Sequence, residues 1–85
     1  RKRPKPDYPM QARRLGLQGT VLVRVLVGAD GRPQQVALER SSGIPLLDEA
    51  ALAAVRDSAE FEPARRGDEL VAHSVQVPIE FKLRP

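Results

Sequence analysis

The sequence predicts an α+β fold: a two-layer sandwich of a three-stranded antiparallel sheet with two helices on one face, in the order α-β-β-α-β. Three features support this prediction. Apolar residues recur at every second position in residues 20–27 and 71–83, as they do in half-buried strands. Asp30-Gly31 is a strong hairpin signal. A later alanine-rich stretch has helical spacing, which favours a crossover that returns the last strand beside the first.

Composition restricts the classes of function. The chain has 85 residues, enough for one small domain whose folding buries roughly 60–65% of its unfolded surface, so a deep catalytic pocket is not expected. Because the chain has no cysteine, disulfides and thiolate chemistry are excluded. No apolar run approaches the ~20 residues of a membrane span, and we find no signal peptide.

The positive charge is concentrated at the amino terminus. Four of the 14 Lys and Arg residues lie in the first six positions, and the remainder carries ten basic and 11 acidic side chains, a formal net charge of −1. A nearly neutral domain lacks the field that attracts nucleic-acid phosphates, so nucleic-acid binding is not expected. We interpret residues 1–6 as the end of a basic, Pro-rich linker, residues 7–85 as the domain, and the chain as a fragment of a longer protein.

A short helix is predicted after the linker, with Pro9 at its first position, Asp7 or Tyr8 before it and Gly16 as a left-handed stop. Its apolar contacts would come from Met10, Ala12, Leu15 and Leu17. In the strand that follows, Arg24 belongs in water, which turns four valines inward and two leucines outward. These residues are Val21, Val23, Val25 and Val27, and Leu22 and Leu26.

A second strand is predicted over roughly residues 34–40, after the hairpin turn, with Val36 and Leu38 facing the core. Residues 41–43, Ser-Ser-Gly, interrupt this strand. Residues 65–68 would form a polar turn that leads to the last strand.

The second helix is predicted over roughly residues 49–58, with Asp48 as its N-cap, because a carboxylate there accepts from the free N–H groups of the first turn. Leu47 before the cap and Leu52 inside the helix would form a hydrophobic staple. Phe61 would then pack against the core. One helix face would carry Ala51, Leu52, Val55 and Ala59.

The last strand, residues 71–83, contains a proline within an alternating pattern. Its inward row would be Val71, His73, Val75, Val77, Ile79, Phe81 and Leu83. Pro78 has no N–H to donate, so it is tolerated only where its side of the backbone has no ladder partner, which means an edge strand. Gln76, Glu80 and Lys82 share that side, and their backbone groups should face an open edge. Such an edge is either protected against aggregation or a docking site for an extended peptide.

Catalytic, metal and cofactor sites are not predicted. Asp48 and Glu49 belong to a helix start, where capping explains them, and Ser41 and Ser42 have no suitable base nearby in the sequence. His73 is a lone histidine in a chain without cysteine, so no transition-metal site is indicated. We therefore expect neither an enzyme nor a resident cofactor.

Eight short motifs follow one another along the chain. They are Tyr8-Pro9, Gly19-x-Val-x-Val-x-Val25, Asp30-Gly31, Ser41-Ser-Gly43, Leu47-Asp48, Ala54-Val-Arg56, Phe61-Glu-Pro-Ala64 and Val77-Pro-Ile-x-Phe-x-Leu83. No single motif is specific, but in this order and spacing they resemble the TonB C-terminal domain over about residues 6–83. Many members carry a tryptophan in the stretch that is here residues 57–60, which indicates a divergent member.

The resemblance implies a periplasmic energy transducer of Gram-negative bacteria, anchored in the inner membrane and working with the ExbB–ExbD proton-driven motor. In this family the C-terminal domain binds the TonB box, an extended segment of outer-membrane transporters for siderophores, haem or cobalamin, which adds as a strand to the last strand. The site residues implied on that strand are Gln76, Val77, Pro78, Ile79, Glu80, Phe81, Lys82 and Leu83. Those implied around the Tyr-Pro motif are Lys5, Pro6, Asp7, Tyr8 and Pro9.

Alternatives remain open from the residues alone. Pro78 is also compatible with a purely protective role against aggregation, and Tyr8 with simple packing at the helix start. Leu22 and Leu26 are interpreted as surface residues partly covered by long neighbours rather than as a dimer face. The alternative function is a structural module that forms a homodimer through the same edge strand.

Overall fold

The computed structural model of the protein describes residues 7–58 and 60–83. The elements are α1 (Met10–Arg14), β1 (Gly19–Val27), β2 (Pro33–Arg40), α2 (Pro45–Ser58), β3 (Ala64–Arg66), β4 (Glu69–Val71) and β5 (His73–Phe81). The main sheet is antiparallel in the order β2-β1-β5, and β3 and β4 form a separate hairpin. The predicted α+β class and the return of the last long strand beside the first are confirmed.

The core lies between one face of the main sheet and the two helices. The four predicted valines of β1 are fully buried, and Ala12 of α1 and Val55 of α2 pack in the same cluster. Each buried valine contributes on the order of 1.5–3 kcal/mol. Leu22 and Leu26 lie half-buried on the opposite face, so the alternation predicted for β1 is confirmed.

Helix α1 ends in a Schellman motif. The Leu17 N–H donates to the Ala12 carbonyl (2.9 Å) and the Gly16 N–H to the Arg13 carbonyl (3.1 Å). Gly16 has a φ of +69°, so its predicted role as a left-handed stop is confirmed. Pro9 precedes the helix as its N-cap instead of occupying its first position.

The apolar contacts predicted for α1 are only partly correct. Ala12 is buried and Leu17 packs against the core, but Met10 and Leu15 are 68% and 65% exposed. A helix of five residues presents little more than one turn to the sheet, so side chains on its other sides remain in water. Neither helix of the described residues is long and apolar enough to cross a membrane.

Helix α2 begins at Pro45, about one turn before the predicted start. Proline suits the first helical position because its missing N–H needs no partner there. The prediction that Asp48 is the N-cap is therefore wrong, and Leu47, which is inside the helix and buried, does not form the predicted staple. Phe61 packs against the core as predicted.

The predicted last strand is divided in two. Val71 belongs to β4 and pairs with Ala64 in the β3–β4 hairpin, whose turn holds Gly67 at a φ of +62°. Ala72 belongs to neither strand, and β5 begins at His73, which pairs with Val27 of β1. At the other end β5 stops at Phe81, so residues 82–83 lie beyond the ladder.

Strand β2 forms one edge of the main sheet and pairs with β1 through two register shifts. Val36 packs against the core. Leu38 lies opposite Val23 and therefore on the same face, but it is 43% exposed, so the expected core contact is not made. An edge strand lacks a neighbouring strand on its outer side, which leaves such a side chain partly uncovered.

Candidate peptide-binding edge

Strand β5 forms the other edge of the main sheet. It pairs with β1 along its whole length, from His73 opposite Val27 to Phe81 opposite Gly19. No strand within residues 7–58 and 60–83 pairs with its outer side. The predicted edge position of the strand is therefore confirmed.

Pro78 identifies the backbone groups that face the open side of β5. It lies opposite Leu22, and since it has no N–H, this pair does not exchange a full set of ladder bonds. Bonded and non-bonded pairs alternate in an antiparallel ladder, so the odd-numbered residues of both strands carry the bonds. The N–H and C=O groups of the even-numbered residues point away from the sheet. These residues are Ser74, Gln76 and Glu80, and Pro78 presents its C=O alone on that side.

The side chains of β5 hold the strand from the inner face only. Ile79 and Phe81 are buried in the core cluster, and Val75 and Val77 are half-buried against it. The even-numbered side chains are exposed. The core already holds β5 in an extended conformation. A peptide that paired with its outer edge would therefore lose conformational entropy, while β5 itself would lose little.

Tyr8 is fixed beside the carboxyl end of β5. Its ring packs edge-to-face on Phe81, with centroids 5.3 Å apart and planes at 87°. Its hydroxyl donates to the Leu17 carbonyl, and the Arg13 guanidinium lies 5.7 Å from the ring centroid, within cation–π range. Tyr8 therefore has a packing role, and this packing brings residues 7–9 close to the end of the edge.

An open groove of about 620 Å³ adjoins that end of β5 and is lined by Tyr8, Arg13, Lys82 and Leu83. Arg13 was not singled out from the sequence, although its place in the last turn of a helix that starts beside Tyr8 is a usable signal. The Leu83 N–H donates to the side-chain oxygen of Gln18 (2.8 Å). This bond holds the segment after β5 beside the loop that precedes β1.

The two predicted groups of site residues meet at one end of β5 only. Tyr8, Lys82 and Leu83 share the groove, whereas Gln76 lies near the middle of the strand, opposite Arg24. The predicted site residues Lys5 and Pro6, like the rest of residues 1–6, lie outside the described residues.

His73 occupies the first position of β5. It is half-buried, and its buried Nδ1 has no hydrogen-bond partner among the described residues. In the same part of the chain, no group of three or more His, Cys, Asp or Glu side chains is placed to hold a metal ion. His73 fills the inner row of β5 where the ladder begins, opposite Val27.

Asp48 is a buried carboxylate that fastens the loop between β2 and α2. It accepts hydrogen bonds from the Ser41 hydroxyl, the Ser42 backbone N–H (2.9 Å) and the Ser42 hydroxyl (2.8 Å). Burial by itself raises the pKa of Asp48, but these hydrogen bonds favour the charged form and bring the pKa below its usual value. The arrangement accounts for the carboxylate as a structural group.

The sequence matches known proteins along almost its whole length. Residues 4–83 match the family described as Gram-negative bacterial TonB protein C-terminal. The chain is 49% identical to Protein tonB2 of Pseudomonas aeruginosa over 80 residues, which are 94% of this chain and 29% of that protein. It is 38% identical to Protein TonB of Vibrio cholerae over 79 residues, 93% of this chain and 32% of that protein. The chain thus spans less than a third of the length of these relatives.

Solved structures show the same fold. The solution structure of the Pseudomonas aeruginosa TonB C-terminal domain aligns with a TM-score of 0.78 at 27% identity, covering 99% of this chain and 85% of that one. A Helicobacter pylori TonB C-terminal domain aligns with a TM-score of 0.75 at 28% identity, covering 94% and 71%. Sequence and fold agree, and the chain belongs to the Gram-negative bacterial TonB protein C-terminal family.

Proposed function

We propose that this domain is the partner-binding end of a TonB-type energy transducer, and that it binds the TonB box of outer-membrane transporters by strand addition to β5. Membership of the family supports the transducer role. The open outer side of β5 is the single observation that supports the mode of binding. The transporters would be those that import siderophores, haem or cobalamin.

The guest strand would lie along residues 76–83, bonded to the outward backbone groups of Gln76, Pro78 and Glu80. Toward the end of β5 it would reach Lys82 and Leu83, and then the Tyr-Pro segment, residues 5–9. Arg13, which shares the groove with these residues, joins the proposed site. Because most contacts are made to backbone atoms, the affinity would depend little on the side chains of the guest.

Strand addition sets a moderate affinity. Each backbone hydrogen bond contributes about 1 kcal/mol net, and the handful formed here must also offset the ordering of a flexible segment. We expect a dissociation constant in roughly the micromolar range. Such an affinity suits a coupler that has to capture, pull and release its partner.

The same geometry transmits force. When tension acts along a strand, several ladder bonds of the guest and β5 are loaded together, so the pairing resists pulling better than its equilibrium affinity suggests. On the inner side, β5 pairs with β1 over its whole length. A load on the guest is therefore passed to the core of the domain.

The proposal places the domain in the periplasm, as part of a longer protein anchored in the inner membrane. A Pro-rich linker would connect the anchor to the domain, and residues 1–6 would be the end of that linker. The ExbB–ExbD motor would act on the membrane-anchored part, so its energy would reach β5 through the linker.

Titration of the isotope-labelled domain with a synthetic TonB-box peptide tests the proposed function. We expect the amide signals of residues 76–83 to shift, and the outward amides of Gln76 and Glu80 to gain protection from hydrogen exchange. The amides of β2, on the opposite edge, serve as the internal control. Unchanged β5 amides at millimolar peptide would count decisively against the proposal.

A second candidate function, self-association through β5, rests on the same open edge. Sedimentation over a range of protein concentrations separates the two functions, because a chain that stays monomeric excludes a constitutive dimer. If the peptide dissociates a dimer, both partners use β5.

A further inference from the structure

The groove at the carboxyl end of β5 places two cationic side chains beside the path of a guest strand. We propose that Arg13 and Lys82 select a guest whose side chain opposite Phe81 is acidic. This inference rests on the proposed function, because it assigns a side-chain preference to a peptide that pairs with β5. Backbone pairing would still supply most of the affinity, and the groove would add discrimination at one position.

Both cations lack an anionic partner in the described part of the chain. The side chains of Arg13 and Lys82 are exposed, and both line the groove. Among the described residues the one ion pair joins Arg24 to Glu39, so neither cation of the groove is ion-paired with a described carboxylate. Residues 7–85 carry ten basic and 11 acidic side chains, so the two cations are a local feature and not the result of an overall positive charge.

The Arg13 guanidinium is positioned by Tyr8. It lies 5.7 Å from the centroid of the Tyr8 ring, and that ring is itself held by its packing on Phe81 and by its hydrogen bond to the Leu17 carbonyl. A guanidinium that contacts an aromatic ring keeps N–H donors at its own edge, and these can bind a carboxylate in bidentate fashion. Arg13 would therefore set the geometry of the contact.

Lys82 adds a second positive charge to the lining of the groove. It directly follows Phe81, the last residue of β5, and its backbone is held in place because Leu83 donates its N–H to the Gln18 side chain (2.8 Å). An ammonium group is a point charge on a flexible stem, so it attracts an anion without demanding one orientation. Lys82 would therefore strengthen the attraction without setting its geometry.

The alternation of side chains decides which guest residue meets the groove. Residues that lie directly opposite each other on neighbouring strands point their side chains to the same face of the sheet. Phe81 is buried on the face that the helices cover, so a guest residue opposite it would point to that face too, toward Tyr8 and Arg13. This conclusion holds for a parallel and for an antiparallel guest.

The neighbouring position on β5 has the opposite preference. Glu80 is exposed, and its side chain lies on the face of the sheet away from the helices. A guest residue opposite Glu80 would place its side chain beside this carboxylate, and like charges directly opposite each other destabilise a strand pair. The preferred guest therefore has an acidic residue opposite Phe81 and a neutral or basic residue opposite Glu80.

The expected discrimination is modest, because the groove is open to water. Exposed ion pairs contribute little on average, but a bidentate contact to a guanidinium with a second cation nearby belongs in the upper part of their range. We expect a guest with Glu opposite Phe81 to bind about three- to fivefold more tightly at low ionic strength than the same guest with Gln. The difference should shrink as salt is added.

Matched peptides test the inference on the 85-residue chain. Synthetic TonB-box peptides would carry Glu or Gln at the position opposite Phe81. One pair would have this residue near the amino-terminal end and a second pair near the carboxyl-terminal end, because the direction of the guest decides which end lies there. Isothermal titration calorimetry measures each dissociation constant. We expect a preference for Glu in one pair, and its loss when Glu is moved by one residue to lie opposite Glu80.

Substitutions in the chain assign the preference to the groove. Arg13→Gln should abolish most of the preference for the Glu peptide, and Lys82→Gln should reduce it. Arg14→Gln is the matched control, because Arg14 follows Arg13 in α1 and is exposed but does not line the groove. Double-mutant cycles between chain and peptide isolate the contact, and circular dichroism melting checks that each variant is folded.

The outcomes separate this inference from the proposed function. If Glu and Gln peptides shift the β5 amides with equal affinity in both pairs, strand addition stands and the acidic preference is refuted. It is also refuted if Arg14→Gln weakens the preference as much as Arg13→Gln. If no peptide binds, the proposed function fails and this inference fails with it. Loss of the preference in Arg13→Gln, with its retention in Arg14→Gln, is the result that supports the inference.

Discussion

At the scale of single residues, Gly31 joins the hairpin turn to the segment that follows α2. Its carbonyl accepts from the Phe61 N–H (3.0 Å), and its φ is +82°. A Cβ built on Gly31 would lie 2.5 Å from the Phe61 carbonyl oxygen. Both the backbone conformation and the lack of space therefore require glycine at this position.

Replacing Gly31 should lower the stability of the domain more than replacing a glycine that has a positive φ but open space around it. We expect Gly31→Ala to lower the free energy of unfolding by about 3 kcal/mol or more, because backbone strain adds to a clash with fixed backbone. Gly43→Ala is the matched control: its φ is +86°, but a Cβ there meets nothing within 4 Å, so about 1–2 kcal/mol is expected. Urea denaturation measures both, and equal losses would contradict the close approach.

The Asp48 carboxylate makes stability depend on pH. We expect Asp48→Asn to lower the free energy of unfolding by about 1.5–3 kcal/mol at about pH 7, because hydrogen bonds to a charged acceptor are weakened. The pKa of Asp48 is lower in the folded chain than its usual value of 3.8. Its contribution is therefore fully present above that value and is lost as the pH falls through the folded pKa.

The measurement compares denaturation of the unmodified chain and Asp48→Asn from neutral to acidic pH. The difference between them should shrink below about pH 4. A difference that stays constant down to about pH 2 would mean that the charge of Asp48 contributes nothing.

At the scale of elements, β5 has two chemically different sides, and proline substitution distinguishes them. Gln76 directs its N–H outward, so Gln76→Pro should leave the sheet intact and weaken the TonB-box peptide roughly fivefold, for about 1 kcal/mol of one lost bond. Val77 directs its N–H at β1, opposite Val23. Val77→Pro should therefore destabilise the domain by about 3 kcal/mol or more.

Circular dichroism melting and peptide titration separate the two effects. If Gln76→Pro unfolded the domain as readily as Val77→Pro, the outward direction assigned to Gln76 would be wrong. If both variants bound the peptide like the unmodified chain, the guest would lie elsewhere.

At the scale of the whole molecule, the positive charge is concentrated in residues 1–5. Deleting residues 1–5 changes the formal net charge from +3 to −1. We expect any salt-sensitive binding of the full chain to duplex DNA to disappear with this deletion, because few clustered cations remain to displace counterions. Fluorescence anisotropy at low and moderate salt measures the effect, and retained binding by the shortened chain would reveal a nucleic-acid surface on the domain.

The sequence by itself determined the alternating strands, the hairpin, the edge position of the last strand and the family, because these depend on local periods and on motif order. The valines of β1 and the proline in β5 are examples. The alternation of the valines decides which face of β1 is buried, and the missing N–H of Pro78 places β5 at an edge, whichever elements pack against these strands. The site residues on β5 follow from that one proline and from the family resemblance, and they remain a proposal.

Only the tertiary structure decided features that depend on contacts between distant parts of the chain. Tyr8 meets Phe81 and Arg13 joins them in the groove, although no local pattern links α1 to β5. Asp48 lies inside the helix and accepts hydrogen bonds from Ser41 and Ser42 of the preceding loop, which its position in the sequence did not reveal. Leu38 is exposed although its spacing predicts an inward side chain, because β2 is an edge strand with no neighbour on its outer side. The spacing of residues within a strand does not show whether such a neighbour exists.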